Sequence, residues 1–156
     1  MQQRQVISIT AINESSVLSR ISGLFAGRGY NIESLSVAPI PESDLSHITL
    51  ATSGDSKVLE QIIKQLHKLI PVLTVTQHSV MVEKEMALIK FSADTPLAEI
   101  EALARSFGGE IAAGDSKQVI LVATRSPARI NDLIDLAKRF KPKEIVRSGV
   151  VAMERN

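Results

Sequence analysis

The spacing of apolar positions in the first half of the chain switches repeatedly between a strand period and a helix period. Residues Gln5 to Ile12 (Q-V-I-S-I-T-A-I) are β-branched and partly alternating, which predicts a strand buried mostly on one face. Val17, Leu18, Ile21, Leu24 and Phe25 then share one helical face, so a helix is predicted from Ser16 to Arg28. Ser15 or Ser16 is placed to cap it, because a side-chain oxygen accepts an N–H left unpaired in the first turn. Gly29 stands where a left-handed residue would end it. Asn31 to Ala38 reads as a second strand with a bulge between Ile32 and Leu35, where the alternation breaks. Pro39, Pro41 and Asp44 mark a turn before a third strand, Ser46 to Thr52, with Ile48 and Leu50 inward. Val58, Leu59, Ile62, Ile63, Leu66 and Leu69 repeat at helical spacing up to Pro71, and Val72 to His78 forms a fourth strand.

The second half repeats this order in pattern, not in letters. Met86 to Ser92 is a strand, and Thr95 with Pro96 makes a cap and first-turn pair. Leu97, Ile100, Leu103, Ala104 and Phe107 form an apolar stripe ended by Gly108 and Gly109. Short strands at Glu110 to Ala112 and Gln118 to Thr124 follow. Ser126 and Pro127 open a helix with Ile130, Leu133, Ile134 and Ala137 inward, closed by Pro142. Ile145 to Met153 is the last strand. Each half therefore matches β-α-β-β-α-β, and the fold class is α+β with two ferredoxin-like domains, residues 1–78 and 79–156. Helices then cover one face of each sheet and leave the other for burial or pairing.

Composition narrows the options. A 44% hydrophobic fraction over 156 residues supports packed cores. No apolar run approaches the roughly 20 residues of a membrane span. The opening M-Q-Q-R-Q lacks the basic-then-apolar pattern of a secretory signal, so a cytoplasmic protein is expected, without a membrane partner. Without cysteine there is no disulfide, thiolate metal site or cysteine nucleophile. Eighteen basic and seventeen acidic residues leave no net field to attract nucleic acid. The basic run Lys138, Arg139, Lys141 and Lys143 reads as a solvated helix end whose charges suit the C-terminal dipole.

No catalytic set assembles. His47, His67 and His78 lack partners at ligand spacing, so no catalytic residue and no metal ligand is assigned. Asp55 in S-G-D-S reads as a turn or helix cap. Gly27 to Gly29 (G-R-G) ends a helix instead of following a strand, the wrong place for a phosphate loop. Only Phe91 among the aromatics falls in a predicted strand, against the stacking platform an RNA-binding sheet needs. What remains is a seat for a small zwitterion. The loop Asn13 to Ser16 delivers polar side chains and unpaired N–H groups to a helix N-terminus. Asn13 or Asn31 offers a carbonyl to an ammonium and an NH₂ to a carboxylate. Ile32, Leu35, Val37 and Leu18 supply an apolar wall.

The segment N-E-S-S-V-L-S-R-I-S-G-L-F, followed by R-G-Y-N-I-E-S-L-S-V-A-P up to Pro39, closely resembles the opening of the small regulatory subunit of acetolactate (acetohydroxyacid) synthase, which begins with an amino-acid-binding ACT domain. Lys57 to Leu73, Val82 to Lys90 and Arg147 to Val151 are similar to later parts of the same family. The resemblance implies an N-terminal ACT domain for effector binding and dimerisation, and a C-terminal ACT-like domain. It implies a chain without cofactors of its own that binds a catalytic subunit carrying thiamine diphosphate, a divalent metal and FAD. That chain would raise the partner's activity and transmit feedback inhibition by valine or a related branched-chain amino acid. A free-standing tandem-ACT amino-acid sensor, controlling transcription or another enzyme, is the alternative. In this family two ACT domains pair side by side with the effector between them. Carried over, the effector residues are Asn13, Glu14, Ser15, Ser16, Val17, Leu18, Asn31, Ile32 and Ala38. The family usually has glycine at the position of Ser16, often preceded by proline at Ser15. The serine adds a Cβ and a hydroxyl to the expected pocket and bears on feedback sensitivity.

Overall fold

A computed structural model describes residues 3–77 and 80–155. The first half forms β1 (Gln3–Ile12), α1 (Val17–Gly27), β2 (Ile32–Pro39), β3 (Leu45–Gly54), α2 (Ser56–Lys68) and β4 (Val72–Gln77). The second half forms β5 (Met81–Ser92), α3 (Leu97–Ser106), β6 (Glu110–Gly114), β7 (Gln118–Arg125), α4 (Pro127–Ala137) and β8 (Glu144–Glu154). The strand orders, β2-β3-β1-β4 and β6-β7-β5-β8, are the same topology twice, the ferredoxin-like arrangement predicted from the periodicities. The chain divides into two compact units. One runs up to Val82 and includes the segment from Val150 onward; the other is Glu83–Gly149. The boundary expected between residues 78 and 79, and the strand end at His78, lie outside the described residues.

In the first unit β3 is the organising strand. It pairs antiparallel with β1 (Ile7 opposite Leu50, Ile9 opposite Ile48) and with β2 (Leu35 opposite Leu50, Val37 opposite Ile48). Successive side chains alternate between faces, so Ile7, Ile9, Ile48 and Leu50 meet Val17, Ile21 and Phe25 of α1 and Leu59, Ile62 and Leu66 of α2 in one core. The register of β2 on β3 shifts between Ile32 and Ser34, the bulge that the broken alternation predicts. The second unit repeats the plan, with Ala87, Ile89, Phe91 and Leu121 of the sheet against Ile100 and Leu103 of α3 and Ile130 and Leu133 of α4.

The helix ends follow local chemistry with two exceptions. Asp55 caps α2, its carboxylate accepting the Lys57 N–H at 2.8 Å, and Ser126 caps α4 by accepting the Arg129 N–H. Gly29, at φ 70°, ends α1, and the following Tyr30 N–H returns to the Phe25 carbonyl at 2.9 Å. Ser16 occupies the cap position of α1 but makes no capping bond with its side chain. Its backbone is already helical (φ −90°, ψ −8°), whereas a capping side chain reaches back from an extended residue. Thr95 does not cap α3 either. Its N–H is drawn into a turn on the Ser92 carbonyl, and Pro96 takes the cap position.

Candidate effector site

The β1–α1 loop is held against the β2–β3 turn. The Asn13 N–H donates to the Asp44 carbonyl at 2.9 Å, and the Glu14 N–H donates to the Ile12 carbonyl at 2.8 Å. The Val17 N–H turns to the Glu14 carbonyl at 3.3 Å, and the first bond of α1 runs from the Arg20 N–H to the Ser16 carbonyl. Between them, Leu18 and Ser19 carry the first-turn amides that a helix leaves without internal acceptors. Leu18 lines an open groove of about 430 Å³. Asn13, Glu14 and Ser15 line its polar end, and Ile12, Val17 and Leu18 its flank. Val37, Ala38 and Pro39 of β2, with Ser46 and Ile48 of β3, form the opposite wall.

The groove exists because β2 is an edge strand that the helices do not fully cover. Leu35 and Val37 face the same side as their core partners Leu50 and Ile48, yet they are 36% and 45% exposed. Leu50 and Ile48 are sealed. Amide donors and a carboxamide at one end, with aliphatic walls beyond, suit a small zwitterion bearing an aliphatic side chain. The helix N-terminus favours its carboxylate. Glu14 places a carboxylate within the same lining, where an ammonium group would be welcome.

Six of the residues expected at the site, Asn13, Glu14, Ser15, Val17, Leu18 and Ala38, line this groove. Ser16 is half-buried at the head of α1 and stands outside the lining. Asn31 and Ile32 sit at the opposite end of β2, about 20 Å from Ala38 at the usual rise per strand residue. There the Asn31 carbonyl accepts the Thr52 hydroxyl at 2.7 Å, and Ile32 packs on the core. Tyr30 closes that end. Its hydroxyl donates to the backbone carbonyl of Asp55, and its ring fills the space that a Cβ on Gly54 would need. Burial, aided by the Asp55 carboxylate, pushes the Tyr30 phenol above its usual value. Ser46 and Ile48 were not expected at the site. Their signal is register, since Val37 pairs with Ile48 and Pro39 with Ser46.

The fold and groove define a class: a tandem ferredoxin-like protein whose first unit is an ACT domain. Residues 7–74 match the AHAS small subunit-like ACT domain, and residues 84–156 match the family described as small subunit of acetolactate synthase. The chain is 42% identical to the acetolactate synthase isozyme 3 small subunit of Salmonella typhimurium, over 97% of this chain and 96% of that one. It is 38% identical to the probable acetolactate synthase small subunit of Archaeoglobus fulgidus, over 97% of both. The crystal structure of the acetolactate synthase small subunit from Thermotoga maritima matches with a TM-score of 0.89 at 34% identity, covering 99% of this chain and 98% of that one. The chain belongs to the acetolactate synthase small subunit family.

Proposed function

We propose that this chain is a non-catalytic regulatory subunit that activates the catalytic subunit of acetolactate synthase and transmits inhibition by valine. The partner carries the thiamine diphosphate, divalent metal and FAD, and both chains work in the cytoplasm. The groove at the β2 edge carries this reading. It joins helix-terminal amides to an aliphatic wall, and Leu35 and Val37 stand exposed on a core-facing side as if awaiting cover.

A second copy of the chain supplies that cover. An isologous interface through the β2 edges runs the two strands antiparallel, which caps an otherwise open sheet edge. It also brings the start of one β2 to the end of the other, so Asn31 and Ile32 of the second copy complete the groove formed by residues 13–18 and Ala38. The separation of Asn31 from the groove within one chain then has a geometric purpose. In this reading the first unit binds effector and dimerises, and the second unit, Glu83–Gly149, forms the body of the C-terminal regulatory domain. Regulation amounts to a coupling free energy of ~1–3 kcal/mol between effector and catalytic sites. Mixing the purified chain with its host's catalytic subunit and following pyruvate condensation with and without valine tests it. A rate that saturating amounts of the chain leave unchanged rejects the proposal.

A further inference from the structure

The residues of the last strand divide between the two units. Up to Gly149 it belongs to the second unit, where β8 neighbours β5. From Val150 onward it belongs to the first. Gly149 makes the transition at φ 81°, a conformation that side-chain-bearing residues rarely adopt. Val150 and Ala152, 1% and 7% exposed, pack with Val6 and Ala51 on the helix-free face of the first sheet, with Met81 against the cluster. The Ala152 N–H donates to the Thr49 hydroxyl at 3.4 Å, and Thr49 is 1% exposed. Thr49 pairs with Ser8 on one side and Ser36 on the other, so this face is made of small residues that let a further chain segment lie close.

Thr49 follows Ile48, which lines the groove from the other side of the same strand. Because side chains alternate, β3 shows Ile48 to the effector groove and Thr49 to the C-terminal segment. We infer that the segment Val150–Glu154 is a coupling strand, with Thr49 as its positioning residue, through which the state of β3 is carried into the second unit. The link is mechanical. A shift of β3 moves the seat of Val150 and Ala152, and these are continuous with a strand of the second sheet. The ligand part of this inference rests on the amino-acid reading of the groove; the mechanical part does not.

Two full-length variants test it. Thr49→Val keeps the shape and removes the acceptor for Ala152, and Val150→Ala loosens the packing; Val150→Ile, which keeps the contact, is the control. Hydrogen exchange on the free chain is expected to accelerate about tenfold in both variants, together in β3 and in β8 before Gly149, and to return to normal in the control. Acceleration confined to one unit, or none, overturns the coupling. With the catalytic subunit added, the variants are expected to raise the valine concentration for half-inhibition severalfold, while valine affinity of the free chain by calorimetry stays within about twofold. Equal changes in affinity and inhibition indicate a merely structural role and overturn the inference. A wild-type chain that binds no valine rejects the amino-acid reading instead, and the exchange result still decides the coupling.

Discussion

Arg147 grips Glu85 with two parallel hydrogen bonds, Nε to Oε1 at 2.7 Å and Nη2 to Oε2 at 2.9 Å, while its third nitrogen donates to Asn131 Oδ1 at 2.8 Å. Glu85 lies on the core-facing side of β5 and is 6% exposed, whereas the Arg147 side chain is 38% exposed. The pair holds the Arg147 guanidinium still further into its charged form, the Glu85 hydrogen bonds outweighing the effect of burial. Its two halves are therefore unequal. Arg147→Ala strands a buried carboxylate and is expected to cost about 3–5 kcal/mol. Glu85→Ala leaves an arginine that reaches water and is expected to cost distinctly less. Denaturant unfolding of the two full-length variants checks the order, and the reverse order would show that packing of the arginine stem dominates.

The isolated chain should form no acetolactate from pyruvate, and adding it should raise the rate of the catalytic subunit. A steady-state assay with the free chain, the free partner and the mixture checks both expectations. Product from the free chain alone would refute the regulatory reading.

Asn31→Ala is expected to weaken valine binding roughly ten- to a hundredfold, the equivalent of losing one hydrogen bond to a charged group at ~1.5–3 kcal/mol. Activation should survive, because the effector site and the contact to the catalytic chain need not coincide. Calorimetry measures the affinity, and circular dichroism excludes a folding defect, since only the backbone carbonyl of Asn31 is used in the fold contact to Thr52. Unchanged affinity would remove Asn31 from the site and, with it, the argument for a groove shared between two copies.

Ser16→Gly is expected to shift valine inhibition by less than about threefold, which is under 1 kcal/mol. Ser16 lies outside the groove lining, and its φ of −90° suits any residue, so glycine has no backbone freedom to add there. Stability should fall by no more than about 1 kcal/mol, the backbone-entropy cost of glycine in a helical conformation. Inhibition curves for the reconstituted enzyme decide, and a large tightening would show that the hydroxymethyl group does crowd the ligand.

Alkaline pH should loosen the end of β2. The Tyr30 phenol is raised above 10.0 in the folded chain, so the folded state holds that proton more tightly than the unfolded one. Its contribution is therefore fully present below pH 10 and is lost as pH rises through the folded value. Ionised, Tyr30 can no longer donate to the Asp55 carbonyl and is repelled by the Asp55 carboxylate. Tyr30→Phe should cost about 1 kcal/mol near neutrality and flatten the fall in melting temperature above pH 10. A variant with the same alkaline slope as wild type would assign that slope to lysines.

Much of the architecture is legible in the chain because periodicity is a local property. The runs Val17 to Phe25 and Ile100 to Phe107 show a helical stripe, Gln5 to Ile12 shows a strand, and Gly29 marks its own left-handed turn, all without knowledge of the partner surface. The loop from Asn13 to Ser15 is likewise legible as a polar entrance to a helix. Periodicity says which side of an element is apolar; it does not say what covers that side. Only tertiary pairing opposes Val37 to Ile48, and so adds Ile48 and Ser46 to the groove. Only the folded chain shows the Ser16 backbone already helical, which denies its hydroxyl the capping role that the local spelling allows. Glu85 meets Arg147 across 62 positions, and Ala152 meets Thr49 across 103, separations at which no local pattern specifies a partner. The physical reason is that each such contact depends on the closure of every element between its ends, so the register of the whole sheet decides it.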